Sequence, residues 1–141
     1  MYPPKITILC VDDHWNALIG RKMFLEQNGY RVLAASDSDE GLKLFRSHAV
    51  KAVVLDYQLP GVSGAVVAAA MKRMRPEVPI LLLSSFEPLP KKKLRCVDAF
   101  LSKSQEVKLL VPSLRRLLSR PRPFFHRWLN EWRGRNRTVQ P

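Results

Sequence analysis

An α/β fold is predicted for this 141-residue chain, with five parallel strands in one doubly wound sheet and helices on both faces. Three observations predict it. Short apolar runs alternate with helical-period segments along most of the chain; the runs are near-continuous in apolar character; and no two-residue hairpin signal links them. Such strands are buried on both sides, which requires helices above and below the sheet. Right-handed crossovers then give an open sheet, with its ligand crevice beyond the carboxyl ends of the strands where strand order reverses.

Residues 5–11, KITILCV, are rich in β-branched side chains and read as the first strand. Residues 15–28 follow with helical spacing at Leu18, Met23 and Leu25, and Gly29 closes the helix. Residues 30–35 read as the second strand. The helix over 38–48 has Ser38 as its expected N-cap, with Leu42 and Phe45 on the inner face. Residues 51–55 form the third strand and 63–75 an Ala-rich helix, punctuated by Pro76 and Pro79. Residues 80–83 and 99–101 supply the last two strands, and 105–119 an amphipathic helix that Pro121 must end.

Composition bounds the function. With 46% hydrophobic residues the chain supports a single core, so one domain over 1–120 and a tail over 121–141 are expected. No run approaches the roughly 18 apolar residues of a membrane span, and the N-terminal residues lack the blocks of a signal peptide; a cytoplasmic protein is the expectation. Cys10 and Cys96 fit neither a disulfide framework nor a zinc site and are read as buried spectator thiols. His14, His48 and His126 do not cluster, which argues against a histidine metal centre. The net charge is +12, yet residues 115–141 hold eight Arg against the single Glu131. A basic arm of that kind speaks to partners rather than to fold.

The chemistry stands at the strand ends. Asp12 and Asp13 follow the first strand, Asp56 the third, Ser84 with Ser85 the fourth, and Lys103 the fifth. One aspartate of the pair at 12 and 13 could cap the next helix, but the other is then surplus. Asp56 lies too far ahead of the helix near Ser63 to cap it. Three carboxylates at one rim repel one another unless a cation neutralises them, and Mg²⁺ suits oxygen donors of this kind. A carboxylate flanked by metal can attack phosphorus to form an acyl phosphate, with Lys103 and the Ser84 hydroxyl supporting the phosphoryl oxygens.

The motifs VDD at 11–13, LDYQLPGVSG at 55–64, LLLSS at 81–85 and AFLSK at 99–103 resemble the receiver domain of bacterial two-component response regulators, over about residues 5–119. The resemblance implies a flavodoxin-like sheet of order 2-1-3-4-5. It also implies a signalling protein that catalyses only its own phosphorylation and dephosphorylation, with a sensor histidine kinase or phosphotransfer protein as donor to Asp56. Asp12, Asp13, Asp56 and the backbone carbonyl of Gln58 would hold Mg²⁺, Asp12 through a bound water. Ser84 and Lys103 would engage the phosphoryl group. Phe100, with Ser84, matches the switch of the family, and Gln58 and Phe86 match the two positions that modulate phosphoryl lifetime.

Two features depart from that pattern. Only 18 residues separate Ser84 from Lys103, about one helical turn fewer than the family leads one to expect, and Pro88 and Pro90 confine any fourth helix to about 91–97. Arg95, Cys96 and Val97 replace the small residues usual before the fifth strand. After Ser119 the remaining residues are too few for an output domain, which leads to the expectation of a stand-alone receiver signalling to an unknown downstream protein. In the tail, Phe124, Phe125, Trp128, Leu129 and Trp132 share one face at helical spacing. That segment could dock on its own domain or a second copy in a homodimer, lie on an anionic membrane, or neutralise nucleic-acid phosphates. The competing class is an interaction module on the same scaffold that does not need phosphorylation.

Overall fold

The computed structural model describes residues 3–85 and 89–120. Among them, β1 (Thr7–Val11), β2 (Arg31–Ala35), β3 (Ala52–Asp56), β6 (Ile80–Ser84) and β7 (Ala99–Ser102) form one sheet of order β2-β1-β3-β6-β7, every pair parallel. A two-residue ribbon of β4 (Gln58–Leu59) and β5 (Val62–Ser63) is inserted after β3. Discounting that ribbon, the order is the expected 2-1-3-4-5.

The apolar runs fold as strands because each has a buried face on both sides. Every residue of β3 and β6 is buried. Ile8, Cys10, Val54, Leu81 and Leu83 pack on one face with Leu18 and Leu25 of α1 (Trp15–Gln27) and Leu110, Leu114 and Leu117 of α4 (Glu106–Ser119). Leu9, Val11, Val53, Leu55 and Leu82 pack on the other with Phe45 of α2 (Ser38–Ser47) and Val67 and Met71 of α3 (Gly64–Met74). Each such Leu, Ile or Phe contributes about 1.5–3 kcal/mol by leaving water.

The helix boundaries carry their own signals. Gly29 follows α1 with φ of 93°, a conformation glycine adopts without strain. Asp37, not Ser38, caps α2: its carboxylate accepts the Glu40 N–H at 2.8 Å. A carboxylate one residue earlier reaches the first free amides, and Ser38 becomes the first helical residue. Ser63 caps α3 through the Val66 N–H. Met23 is exposed rather than inward, because five residues past Leu18 is about 140° round the helix. The inward position is taken by Arg21, 3% exposed and in register with Leu18 and Leu25.

Between β6 and β7 the one helical element among the described residues is a 3₁₀ turn, Lys91–Leu94, as the prolines require. Asp98 closes this region: its Oδ2 accepts the Ile80 N–H at 2.8 Å and Lys72 Nζ at 2.7 Å, and Lys72 also donates to the Val78 carbonyl at 2.9 Å. Cys10 is buried, and burial pushes its thiol up to about 12; Cys96, expected to be buried, is only half-buried, packed against the core from just after the 3₁₀ turn. Among the described residues, no helix is long and apolar enough to cross a membrane. The tail over 121–141 lies outside the described residues.

Gly64 opens α3 with its N–H on the Tyr57 carbonyl at 2.6 Å. A methyl group there would overlap the carbonyl oxygen of Asp56 and the Cα of Tyr57, both rigid backbone. Gly64→Ala is therefore expected to cost roughly 1–3 kcal/mol, read as a lower urea midpoint at unchanged slope. The same substitution at Gly20, where nothing lies within 4 Å, should leave the midpoint unchanged or raised.

Candidate functional site

The reversal of strand order falls between β1 and β3, and the carboxyl ends of those strands deliver Asp12 and Asp56 to one crevice. Asp12 is fully buried and Asp56 is 2% exposed. Asp12 is fixed by its own loop: Oδ1 accepts the His14 N–H at 2.9 Å, and its backbone N–H bonds to the Ala35 carbonyl. Asp56 is held at both oxygens, with Oδ1 accepting the Gln58 N–H at 3.2 Å and Oδ2 accepting Lys103 Nζ at 3.2 Å. Lys103 opens the 3₁₀ turn that follows β7, and its ammonium also lies 3.7 Å from Asp12 Oδ2.

The expected residues converge. One ligand atom each from Asp12, Asp13, His14 and Asp56 falls within a span of 4.8 Å. Asp13 is more open, its side chain 31% exposed, as suits a group facing the mouth. His14 stands beside the carboxylates, its Nδ1 3.3 Å from Asp12 Oδ1 and 3.2 Å from Asp13 Oδ1. The three histidines do not cluster with each other in sequence, but the tight turn after β1 puts this one on the acidic rim. Ser84 ends β6 beside β3, 1% exposed. Gln58 is exposed on β4, while Phe100 is half-buried on β7, opposite Leu82 and packed against the core that holds Leu55, Leu59 and Leu82. Phe86 lies outside the described residues.

Two members of this constellation escape sequence reasoning. Arg21 donates Nη1 to Asp12 Oδ2 at 3.1 Å and forks onto Glu106, with Nε and Nη2 each 2.9 Å from a carboxylate oxygen. Their signal is the helical period: Arg21 lies three residues past Leu18 and four before Leu25, on the face that is buried.

Electrostatics set the two buried carboxylates apart. Burial, and then the charge of Asp12, push Asp56 above the ordinary carboxylate range, against Lys103 and the Gln58 N–H. Burial also acts on Asp12, but the His14 N–H, Lys103 and Arg21 outweigh it and hold that group below the ordinary range. The crevice thus keeps one carboxylate firmly ionised and a neighbour under strain. The three carboxylates of this cluster, oxygen donors with surplus negative charge, fit a small hard divalent cation.

Comparison with known proteins agrees with this geometry. The description "Response regulator receiver domain" matches residues 8–114. The chain is 31% identical over 119 residues to the response regulator UvrY of Escherichia coli, covering 81% of this chain and 55% of that protein. It is 35% identical over 78 residues to the alkaline phosphatase synthesis transcriptional regulatory protein PhoP of Bacillus subtilis, covering 55% of this chain and 32% of PhoP. The chain thus spans about half or less of the length of these curated relatives. Among solved structures, the response regulator TrrA of Thermotoga maritima, in complex with Mg²⁺–BeF, superposes with a TM-score of 0.76 at 30% identity, covering 80% of this chain and 99% of that one. Fold, motif-bearing strand ends and sequence agree: the chain belongs to the response regulator receiver domain family, the phosphoacceptor modules of two-component signalling.

Proposed function

We propose that Asp56 is the phosphoacceptor of this chain, and that Asp12, Asp13, Asp56 and the backbone carbonyl of Gln58 hold Mg²⁺. The observation that carries this reading is the buried Asp56 carboxylate, raised in pKa and bracketed by Asp12 and Lys103. A buried carboxylate with a like charge beside it costs stability, and a site that receives a cation and a phosphoryl group gives that cost a use. When bound, the ion would neutralise the carboxylates and the phosphoryl oxygens.

The protein groups then have distinct tasks. An Asp56 carboxylate oxygen attacks phosphorus of a phosphohistidine on a sensor kinase or phosphotransfer protein; the P–N bond breaks, the imidazole leaves, and an acyl phosphate remains. The Gln58 N–H holds the Asp56 carboxylate in orientation. Lys103, already on Asp56, shifts to the phosphoryl oxygens and keeps its charge in the crevice. Ser84, at the adjacent strand end, donates its hydroxyl to the same group, and its movement lets Phe100 turn inward. By the family's pattern, the residue types at the positions of Gln58 and Phe86 set how long the phosphoryl group survives. On this reading residues 1–120 are the receiver, 121–141 is a separate basic segment, and the chain is a cytoplasmic signalling protein that turns over no separate substrate.

Incubation with Mg²⁺ and acetyl phosphate should add one phosphoryl group by intact mass. Asp56→Asn should abolish the adduct, and Lys103→Ala should reduce its amount at least about tenfold. A wild-type chain that stays unmodified would demote the proposal to a phosphorylation-independent interaction module.

A stability measurement tests the strain at Asp56 separately. Because the folded state raises this carboxyl, its ionisation opposes folding above the ordinary carboxylate range and ceases to matter below it. Without metal, Asp56→Asn should melt higher than wild type at neutral pH, with the difference shrinking as pH falls through that range. An equal or lower melting temperature at neutral pH would show that Lys103 already compensates the charge.

A further inference from the structure

The acidic crevice is joined to α4 by a buried chain of charge. Arg21 projects from the middle of α1 with its side chain 1% exposed; Asp12 is 0% and Glu106 21% exposed. All three guanidinium nitrogens are used, Nη1 on Asp12 and the Nε and Nη2 fork on Glu106, the first residue of α4. Neutral hydrophobic packing would serve a purely structural contact between α1 and α4 as well or better, since a buried ion pair seldom adds stability over apolar side chains. The pair also abuts the crevice where charge balance matters: Lys103 lies 3.2 Å from Asp56 and 3.7 Å from Asp12, and Arg21 is a second cation, 3.1 Å from Asp12.

We propose that Arg21 is a positioning residue and internal counter-cation, which lowers the divalent-ion affinity of the acidic crevice and passes the change in charge on ion binding to the first turn of α4 through Glu106. This rests on the reading of the crevice as a Mg²⁺ site. Counting Asp12, Asp13, Asp56 and Glu106 against Lys103 and Arg21, the network carries two net negative charges; without Arg21 it carries three. Arriving Mg²⁺ repels the guanidinium and weakens its hold on Asp12, so Arg21 shifts toward Glu106. Glu106 has room to follow, because it lines a cleft of about 350 Å³ between α1 and α4, walled by Ala17, Gly20, Phe24 and Val107. The helix that leads to residues 121–141 therefore senses occupancy of the crevice by charge.

The sign of the effect separates this role from a structural one. Titration of the full chain with Mg²⁺ alone, by calorimetry, should show Arg21→Met binding about tenfold more tightly than wild type. Glu106→Gln, which leaves the guanidinium charge to act on the crevice undiminished, should bind several-fold more weakly. Arg21→Lys, keeping the charge but not the fork, should stay within about threefold of wild type. In hydrogen exchange, Mg²⁺ should alter protection in the first turn of α4 in wild type but not in Arg21→Met. If both charge-removing variants move in the same direction, or neither moves, the proposal is overturned; if Arg21→Met fails to fold, an unchanged Glu106→Gln is sufficient to overturn it. A wild-type chain that binds no Mg²⁺ refutes instead the reading of the crevice on which it rests.

Discussion

Two carboxylates, Asp12 and Asp56, are held in the interior at the ends of neighbouring strands, and their mutual repulsion is the constraint around which the upper half of the molecule is arranged. Neither can move away: each ends a strand buried on both faces, and the registers of β1, β3 and β6 fix where the chain leaves the sheet. Close packing makes that placement unforgiving. Gly64 leaves no room for a side chain against the Asp56 carbonyl, so the loop carrying Gln58 must fold tightly back, and Gly61 at φ 74° allows it. The local sequence LPGVSG thus serves the electrostatics of the crevice as much as the turn itself.

The repulsion is answered unequally. Asp12 receives the His14 N–H, Arg21 and Lys103, whereas Asp56 has Lys103 and one backbone amide. An inert ion-pair network would satisfy both. Leaving Asp56 undercompensated favours any cation that reaches it, which is the basis on which we propose it as the phosphoacceptor. Arg21 extends the same network by its fork to Glu106, so that the charge of the crevice is shared with the helix leading to the basic segment.

Most of the fold was legible because its strands are doubly buried. A run such as AVVLD or ILLLS has no polar alternation, and that forces a parallel sheet with two covers; strand order and crevice follow from topology. The convergence of Asp12, Asp13, Asp56 and Lys103 was legible for the same reason, since each stands one or two residues beyond an apolar run. Arg21 was hidden because arginine is rarely buried; only its phase with Leu18 and Leu25 marks it. Ser38 was misread as the cap of α2 because serine and aspartate are both good caps, and the choice of Asp37 depends on how the chain leaves β2. Met23 is apolar, but its angular position on α1 sets it outward, and Cys96 sits beside a single 3₁₀ turn, which leaves it half-buried rather than enclosed.

Diffraction from crystals of the chain soaked in Mn²⁺, a Mg²⁺ surrogate with an anomalous signal, tests the central claim most directly. A single strong anomalous peak is expected within coordination distance of the carboxylate oxygens of Asp13 and Asp56, with Lys103 still in the crevice. An empty crevice at saturating metal, or a peak bound only at surface carboxylates elsewhere, would contradict it.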